Sequence, residues 1–391
     1  MVGDRWTSEI RSFRDERTGR TIQQLTATGN NVHLYFTENS FDAQQNAIIF
    51  LSDRASGEDR APHEDPLYDL FRMDLDTGEI VQLTDEARTG TPVHSVTKTP
   101  DSRIIVYTAG SRMVRLDTAT GEKTVIYEET GNYTVGAPSI ARNRRYVAFC
   151  RNERVAAGRG PNYAGFKDQY YLVKDGRITL AYLDGSGWFD VYKDTHWVGH
   201  FQFCPDDSTL ATYCHEGPWN LVTQRIWLLD LVAREARPCF RQTEQDSVGH
   251  EFWTQDGHIF FDNRGPGHDG TITSNRTQAV ATEVGVNENA MIPFVGLADR
   301  KGNVVRRIEL PYYCNHYHAN PDNTLLVGDD VDDLVLIDIS GSQARLEVLC
   351  HHGTSWHTQD AHCHPTWSWD GTRILYASDR GGRVNLYLVR P

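Results

Sequence analysis

No stretch of the chain is hydrophobic for long enough to span a bilayer, and the opening MVGDRWTSEIRSF has no apolar segment of the kind a secretion signal needs. A cytoplasmic protein without membrane contact is therefore expected. The seven cysteines, Cys150, Cys204, Cys214, Cys239, Cys314, Cys350 and Cys363, stand singly with no C-x-x-C pair. That excludes a disulfide framework, makes thiol-rich zinc chemistry a poor fit, and suits a reducing compartment. Cations are in deficit: 39 Lys and Arg face 53 Asp and Glu, for a net charge of −14. This argues against nucleic acid or an anionic membrane as partner. An anionic small ligand then requires a local cluster of cations or a metal. The P-loop, the Gly-rich dinucleotide fingerprint and the G-x-S-x-G nucleophile elbow are missing as well.

What is present is a repeat. The 391 residues exceed the about 250–300 at which a single core stops growing, and a hydrophobic share of 39% with 32 glycines suits an all-β chain with many turns. A short apolar run, often introduced by a Pro-Asp or Asp-Gly turn, returns seven times: AIIFLSDR, RIIVYTAG, RYVAFCRN, TLATYCHE, HIFFDNRG, TLLVGDDV and RILYASDR, starting 42 to 66 residues apart. Most copies are followed by further strand and turn patterns such as LFRMDLDTGEIVQLT, which makes four strands per unit and predicts a seven-bladed β-propeller over residues 1–391. A solenoid would want caps and shorter, more regular periods. The last unit stops one strand short at Pro391, whereas residues 19–26, GRTIQQLT, resemble the outer strand of the first complete unit. Residues 19–26 are thus expected to close the last blade, with residues 1–18 as an N-terminal extension.

The repeat gives the histidines a common address. His200, His250, His316 and His364 each lie six residues before an Asp of the following turn, Asp206, Asp256, Asp322 and Asp370. Each therefore falls near the start of an innermost strand, and those strand ends converge on one mouth of the central channel. His33 and His94 are expected near the same mouth. In Gln359-Asp-Ala-His362-Cys-His364 two imidazoles at i and i+2 on an extended chain would share a face, with Cys363 turned away into the core. A histidine cluster with a nearby glutamine suits a borderline divalent ion of the manganese, iron, nickel or zinc type.

RWTSEIRSF, TGRTIQQLT, NNVHLYFTENSF and IIFLSDR at one end, then CHEGPWNLVTQRIWLL, GHEFW, LLVGDD and QDAHCHP, make the chain resemble the oligogalacturonate lyases along its whole length. The resemblance implies a cytoplasmic seven-bladed propeller that cleaves short galacturonate oligomers by β-elimination, leaving 4,5-unsaturated products. It implies a metal, characteristically Mn2+, held by His316, Gln359, His362 and His364, with His250 as the base and Arg225 assisting at the substrate. His318 follows in CNHYHAN and competes with His316 as ligand, although the register with Asp322 favours His316.

The chemistry fits these residue types. Elimination begins with loss of the C5 proton, beside an existing carboxylate, so a metal or guanidinium is needed to offset the charge. A metal-bound imidazole has no lone pair left, so the base is a cluster histidine outside the ligand set, His250 or His200, and the resemblance selects His250. His200, His33 and Arg54 are further candidates for sugar or carboxylate contacts. Arg54 and Arg380 both end a Ser-Asp-Arg motif, and the simpler reading for them is a repeated blade ion pair. Arg225 equally fits an ordinary ion pair on a blade strand. Glu251 is expected to face away from His250, and Glu216 to orient a neighbour or stabilise its turn. The polar insert 265–289 reads as a lid, a subunit contact or decoration. Two other readings compete: a lyase for another uronate, and a non-catalytic, partner-binding propeller of the translocation-protein type.

Overall fold

The computed structural model describes residues 1–157, 165–274 and 292–391. Seven antiparallel sheets follow one another around a ring, each built mainly of four strands. The seven apolar repeats become the second strands, among them Ala47–Ser52, Ile104–Ala109, Ile259–Asn263 and Ile374–Ser378, every residue of which is buried. These strands are covered on both faces by neighbouring blades, which is why they read as continuous apolar runs. Outer strands such as Lys123–Glu128 and Val304–Glu309 are largely exposed and read as polar.

The core is distributed as the length required. One apolar cluster fills each gap between adjacent blades: Ile22, Val327, Leu334, Trp367 and Tyr376 pack between blades 6 and 7, for example, and Phe41, Ile48, Leu375 and Leu386 between blades 7 and 1.

Ring closure is as expected. Thr21–Gln24 pairs with Asn385–Val389 in the register Ile22↔Val389, Gln23↔Leu388 and Gln24↔Tyr387. The residues before it are also built in. Arg11–Arg14 adds a fifth strand to blade 7, and Arg5–Trp6 adds one to blade 1. Glu9, between these two short strands, pairs with Arg54, whose side chain is fully buried over Trp6, Phe50 and Phe71. All seven cysteines are buried and unpaired. Among the described residues no helix is long and apolar enough to cross a membrane.

The closing strand makes a testable demand. Ile22 is fully buried between blades 6 and 7. Ile22→Ala is expected to lower the unfolding free energy by about 2–5 kcal/mol, measured by denaturant titration. A change within about 0.5 kcal/mol, the range of an ordinary surface substitution, would show that closure does not limit stability.

Candidate metal centre and active site

The innermost strands bring the histidines together. His200 lies in Val198–Phe203 of blade 4 and His250 in Val248–Trp253 of blade 5, and both strands carry a register shift at the histidine. His316 immediately precedes Tyr317–Ala319 of blade 6, and His362 and His364 precede Thr366–Trp367 of blade 7. The path of the blade 7 segment differs from the expected extended chain. Gln359–Ala361 forms a 3-10 turn, and His364 has φ 42°, in the left-handed region. His200 has φ 48°. Non-glycine residues held there cost about 1–3 kcal/mol each and persist where the surroundings impose them. The two imidazoles of blade 7 therefore converge through the loop's path rather than through strand alternation, while Cys363 is buried in the core as expected.

His316, His362 and His364 each offer a nitrogen, and these three atoms lie within 4.8 Å of one another. The ring centroids of His316 and His364 are 4.1 Å apart, and each lies 5.5–5.6 Å from that of His362. Among the described residues the buried Nδ1 of His362 has no hydrogen-bond partner. The Gln359 amide reaches to 3.4 Å from His364 Nε2, and a half-turn of the amide presents its carbonyl oxygen there. Burial first, and then the neighbouring imidazoles, push His362 down to about 3 and His364 well below the usual range, so both rings are neutral with lone pairs free. His316 Nδ1 is 2.8 Å from Asp329 Oδ2, and its backbone N–H donates to Oδ1 at 2.5 Å. A carboxylate on the far nitrogen fixes the tautomer and orientation of a ligating imidazole. Neutral nitrogens, a carbonyl oxygen and an orienting carboxylate fit a divalent cation.

His318 is not part of this set. It stacks on Phe252 and its Nδ1 accepts the Trp367 N–H, deep enough that burial pushes it down to about 4.

His250 stands beside the trio, its ring centroid 4.8 Å from that of His316. Its Nδ1 faces Asp262 Oδ1 across 3.9 Å, both atoms being buried without a hydrogen-bond partner among the described residues. Burial, then the charges of His316, Arg264 and Arg225, hold this imidazole well below its ordinary range, and hence neutral. Trp219 packs edge-on against it, 5.1 Å between centroids. Gly249 permits that approach, since a Cβ there would fall 2.0 Å from the indole.

On the blade 4 side the site is charged. Arg225 is buried, with Nε donating to Gly249 O and Glu251 Oε2 at 3.2 Å and Nη1 3.6 Å from Glu216 Oε2. His200 bridges the same two carboxylates, Nε2 3.1 Å from Glu216 and Nδ1 3.0 Å from Glu251. Burial opposes its protonation, but the two carboxylates outweigh burial and raise its affinity for a proton. Glu216 thus orients its neighbours, and Glu251 turns from His250 toward blade 4. His200, Cys214 and Glu216 also lie at ligand distances from one another. There, however, Arg225 already supplies the positive charge, and burial pushes the thiol well above its usual range.

Two side chains expected to contact substrate, His33 and Arg54, are engaged within the protein. His33 has Nδ1 2.8 Å from Leu34 O and Nε2 3.1 Å from Cys363 O; burial favours the neutral ring, which donates its one N–H to one of these two backbone carbonyls, and it lies against the loop between His362 and His364. Arg54 spends its guanidinium on Glu9, Asn31 and Ser52. The repeated blade ion pair does not hold either, since Arg380 lies over Phe13 and donates to His351 O. Of the 265–289 insert, residues 265–274 pack against Trp219 through the Asp269 carbonyl and Gly270. Residues 275–289, and with them the choice between lid, contact and decoration, lie outside the described residues.

Asp329, Asp262 and the Tyr35–Phe36 pair were not singled out by spacing. Phe36 touches His250, His316 and His364, and Tyr35 touches His200 and His364, so a blade 1 loop lines the centre of the mouth. The acid ending LLVGD was the available signal for Asp329. Nothing in NNVHLYF distinguishes a core aromatic from one at the channel centre.

A protein-family model described as oligogalacturonate lyase matches residues 2–264. The oligogalacturonate lyase of Dickeya dadantii is 24% identical, over 99% of this chain and 97% of its own length. The oligogalacturonide lyase of Pectobacterium atrosepticum is 23% identical over the same shares. A solved oligogalacturonate lyase in complex with manganese superposes with a TM-score of 0.81 at 22% identity, covering 100% of this chain and 98% of that one.

The orientation of His316 by Asp329 predicts that Asp329→Asn weakens divalent-metal affinity about 10–100-fold with the fold retained. Metal titration of chelated protein, with circular dichroism alongside, measures this. Unchanged affinity would remove Asp329 from the metal centre.

Proposed function

The chain belongs to the oligogalacturonate lyase family, and from that premise we propose that it cleaves short galacturonate oligomers by β-elimination at the histidine-lined mouth. The observation that carries the reading is His250: a neutral, buried imidazole adjacent to the three-histidine cluster but outside it, flanked by a buried guanidinium. His316, Gln359, His362 and His364 would hold a divalent cation, manganese by analogy with the related lyase solved with it, and that cation would supply fixed positive charge offsetting the charge built up at the uronate carboxylate.

The chain's own residues do the rest. Asp262 on the Nδ1 side favours the tautomer that leaves the His250 Nε2 lone pair free, and Nε2 takes the C5 proton. The electron pair of the C5–H bond becomes the C4–C5 double bond as the C4–O4 bond breaks, and the departing oxygen takes up a proton. Arg225 Nη1 makes no hydrogen bond among the described residues and belongs to a planar fork suited to a carboxylate. His200, held toward its cationic form by Glu216 and Glu251, stands beside Tyr35 to contact the sugar. Tyr35, Phe36 and Trp219 keep water from the reacting atoms and strengthen these interactions. The reading makes an anionic oligogalacturonate the partner and the cytoplasm the place of action, which seven unpaired cysteines support.

The test is incubation with digalacturonate and trigalacturonate, following the ultraviolet absorbance of the conjugated unsaturated uronate. Absorbance is expected to rise, to stop on chelation and to return with manganese. His250→Ala is expected to lower kcat about 10²–10⁴-fold at unchanged metal content. Flat absorbance from fully metallated protein, with a rise on a different uronate, would reassign the sugar. Full activity in His250→Ala would remove it as the base.

A further inference from the structure

A second set of metal-type ligands lies outside the site described above. Asp194 ends Trp188–Asp194, the outermost strand of blade 3, and His196 sits in the short crossover from that strand to Val198–Phe203 of blade 4. His215 ends Leu210–His215, the second strand of blade 4. The topology thus delivers two imidazoles and one carboxylate from three elements to one point, with a ligand atom of each within 4.8 Å of the others.

The Asp194 carboxylate joins the two imidazoles. The two imidazoles are stacked 4.2 Å apart at 13°, and His215 is backed on Trp227 at 5.0 Å. His196 Nδ1 is 2.9 Å from Asp194 Oδ1, and His215 Nε2 is 2.9 Å from Asp194 Oδ2. Neighbouring ligand atoms bonded at about 2.1 Å to one ion lie about 3.0–3.4 Å apart, so each Asp194 oxygen already stands at near-ligand spacing from its ring nitrogen, and a turn of the half-exposed His196 ring out of its parallel stack brings the second lone pair onto the same ion. The carboxylate does not depend on the ring protons that a metal would replace. Tyr213 O–H donates to Oδ2 at 3.1 Å and the His196 backbone N–H donates to Oδ1 at 3.1 Å, leaving one partner on each oxygen and fixing its orientation from behind. Access is one-sided, since the Asp194 and His215 side chains are 10% and 9% exposed whereas His196 is 53% exposed. A bound ion would keep open positions toward solvent on the His196 side.

We infer that Asp194, His196 and His215 form a second cation site, independent of the three-histidine centre, that takes a borderline divalent ion of the zinc or cobalt(II) class. Two imidazoles with one carboxylate suit such ions better than harder ones. The ion clasps the blade 3 to blade 4 crossover onto the second strand of blade 4. The proposal does not rest on the lyase reading.

Its test is metal counting on the full chain. Chelated protein is loaded with zinc, passed through gel filtration and analysed for bound metal, in the wild type and in a His362→Ala, His364→Ala double variant whose first centre is disabled. The double variant is expected to retain one equivalent and to lose it when His196→Ala is added. His196 is chosen because it is half-exposed, so its replacement should leave circular dichroism unchanged. Tyr213→Phe is expected to weaken zinc binding in the double variant by about 10-fold or more. Cobalt(II) in the double variant is expected to give visible absorption bands that zinc abolishes. Zinc that washes off the double variant, or that remains equally bound with His196→Ala, would overturn the proposal.

Discussion

The pairing of Thr21–Gln24 with Asn385–Val389 is the constraint on which the remainder depends. It removes the free edge that a seven-sheet chain would otherwise carry and holds blade 7 against blade 1. The fixed contact matters at the centre. Tyr35 and Phe36 come from blade 1, yet they touch histidines of blades 4, 5, 6 and 7. The mouth is therefore assembled from both ends of the chain at once. Glu9 and Arg54 pair across the same seam, Glu9 also accepting from the Ala27 and Thr28 N–H groups and Arg54 also donating to Asn31 and Ser52.

The mouth divides into two electrostatic halves. On the side of blades 6 and 7, His316, His362 and His364 are packed among aromatic rings. Close imidazoles in such surroundings repel one another when charged, so His362 and His364 are kept neutral and ready to hold a cation. On the blade 4 side, Glu216, Glu251, Arg225 and His200 form a compact ionic network that carries its own positive groups. His250 sits at the junction, neutral like the first half and facing the guanidinium of the second. A proton acceptor at such a boundary has a free lone pair on one side and fixed positive charge nearby, the combination that removal of a weakly acidic proton beside a carboxylate requires.

Much of this is legible in the amino-acid sequence. The sevenfold apolar run, the spare strand at residues 19–26 and the six-residue offset of His200, His250, His316 and His364 are local patterns. Strand burial and turn chemistry write them directly into the order of residues. That is why fold, closure and the address of the histidines can be read from a chain only 24% identical to a named lyase. The resemblance then supplies roles that spacing leaves open between His250 and His200.

Tertiary structure decided what depends on residues distant in sequence. Only packing shows that His33 sits between two backbone carbonyls, that Arg54 answers to Glu9, and that His318 is stacked into the core while His316 is braced by Asp329. Asp194, His196 and His215 carry no recognisable motif, because their meeting requires three elements of two blades to arrive at one point. The sequence by itself determined which residues form strands and at which end of each blade the histidines stand, since these follow from patterns within a few residues. Which nitrogen is free, which charge is paired and which imidazole faces the channel depend on contacts across blades, and those exist only once the ring has closed.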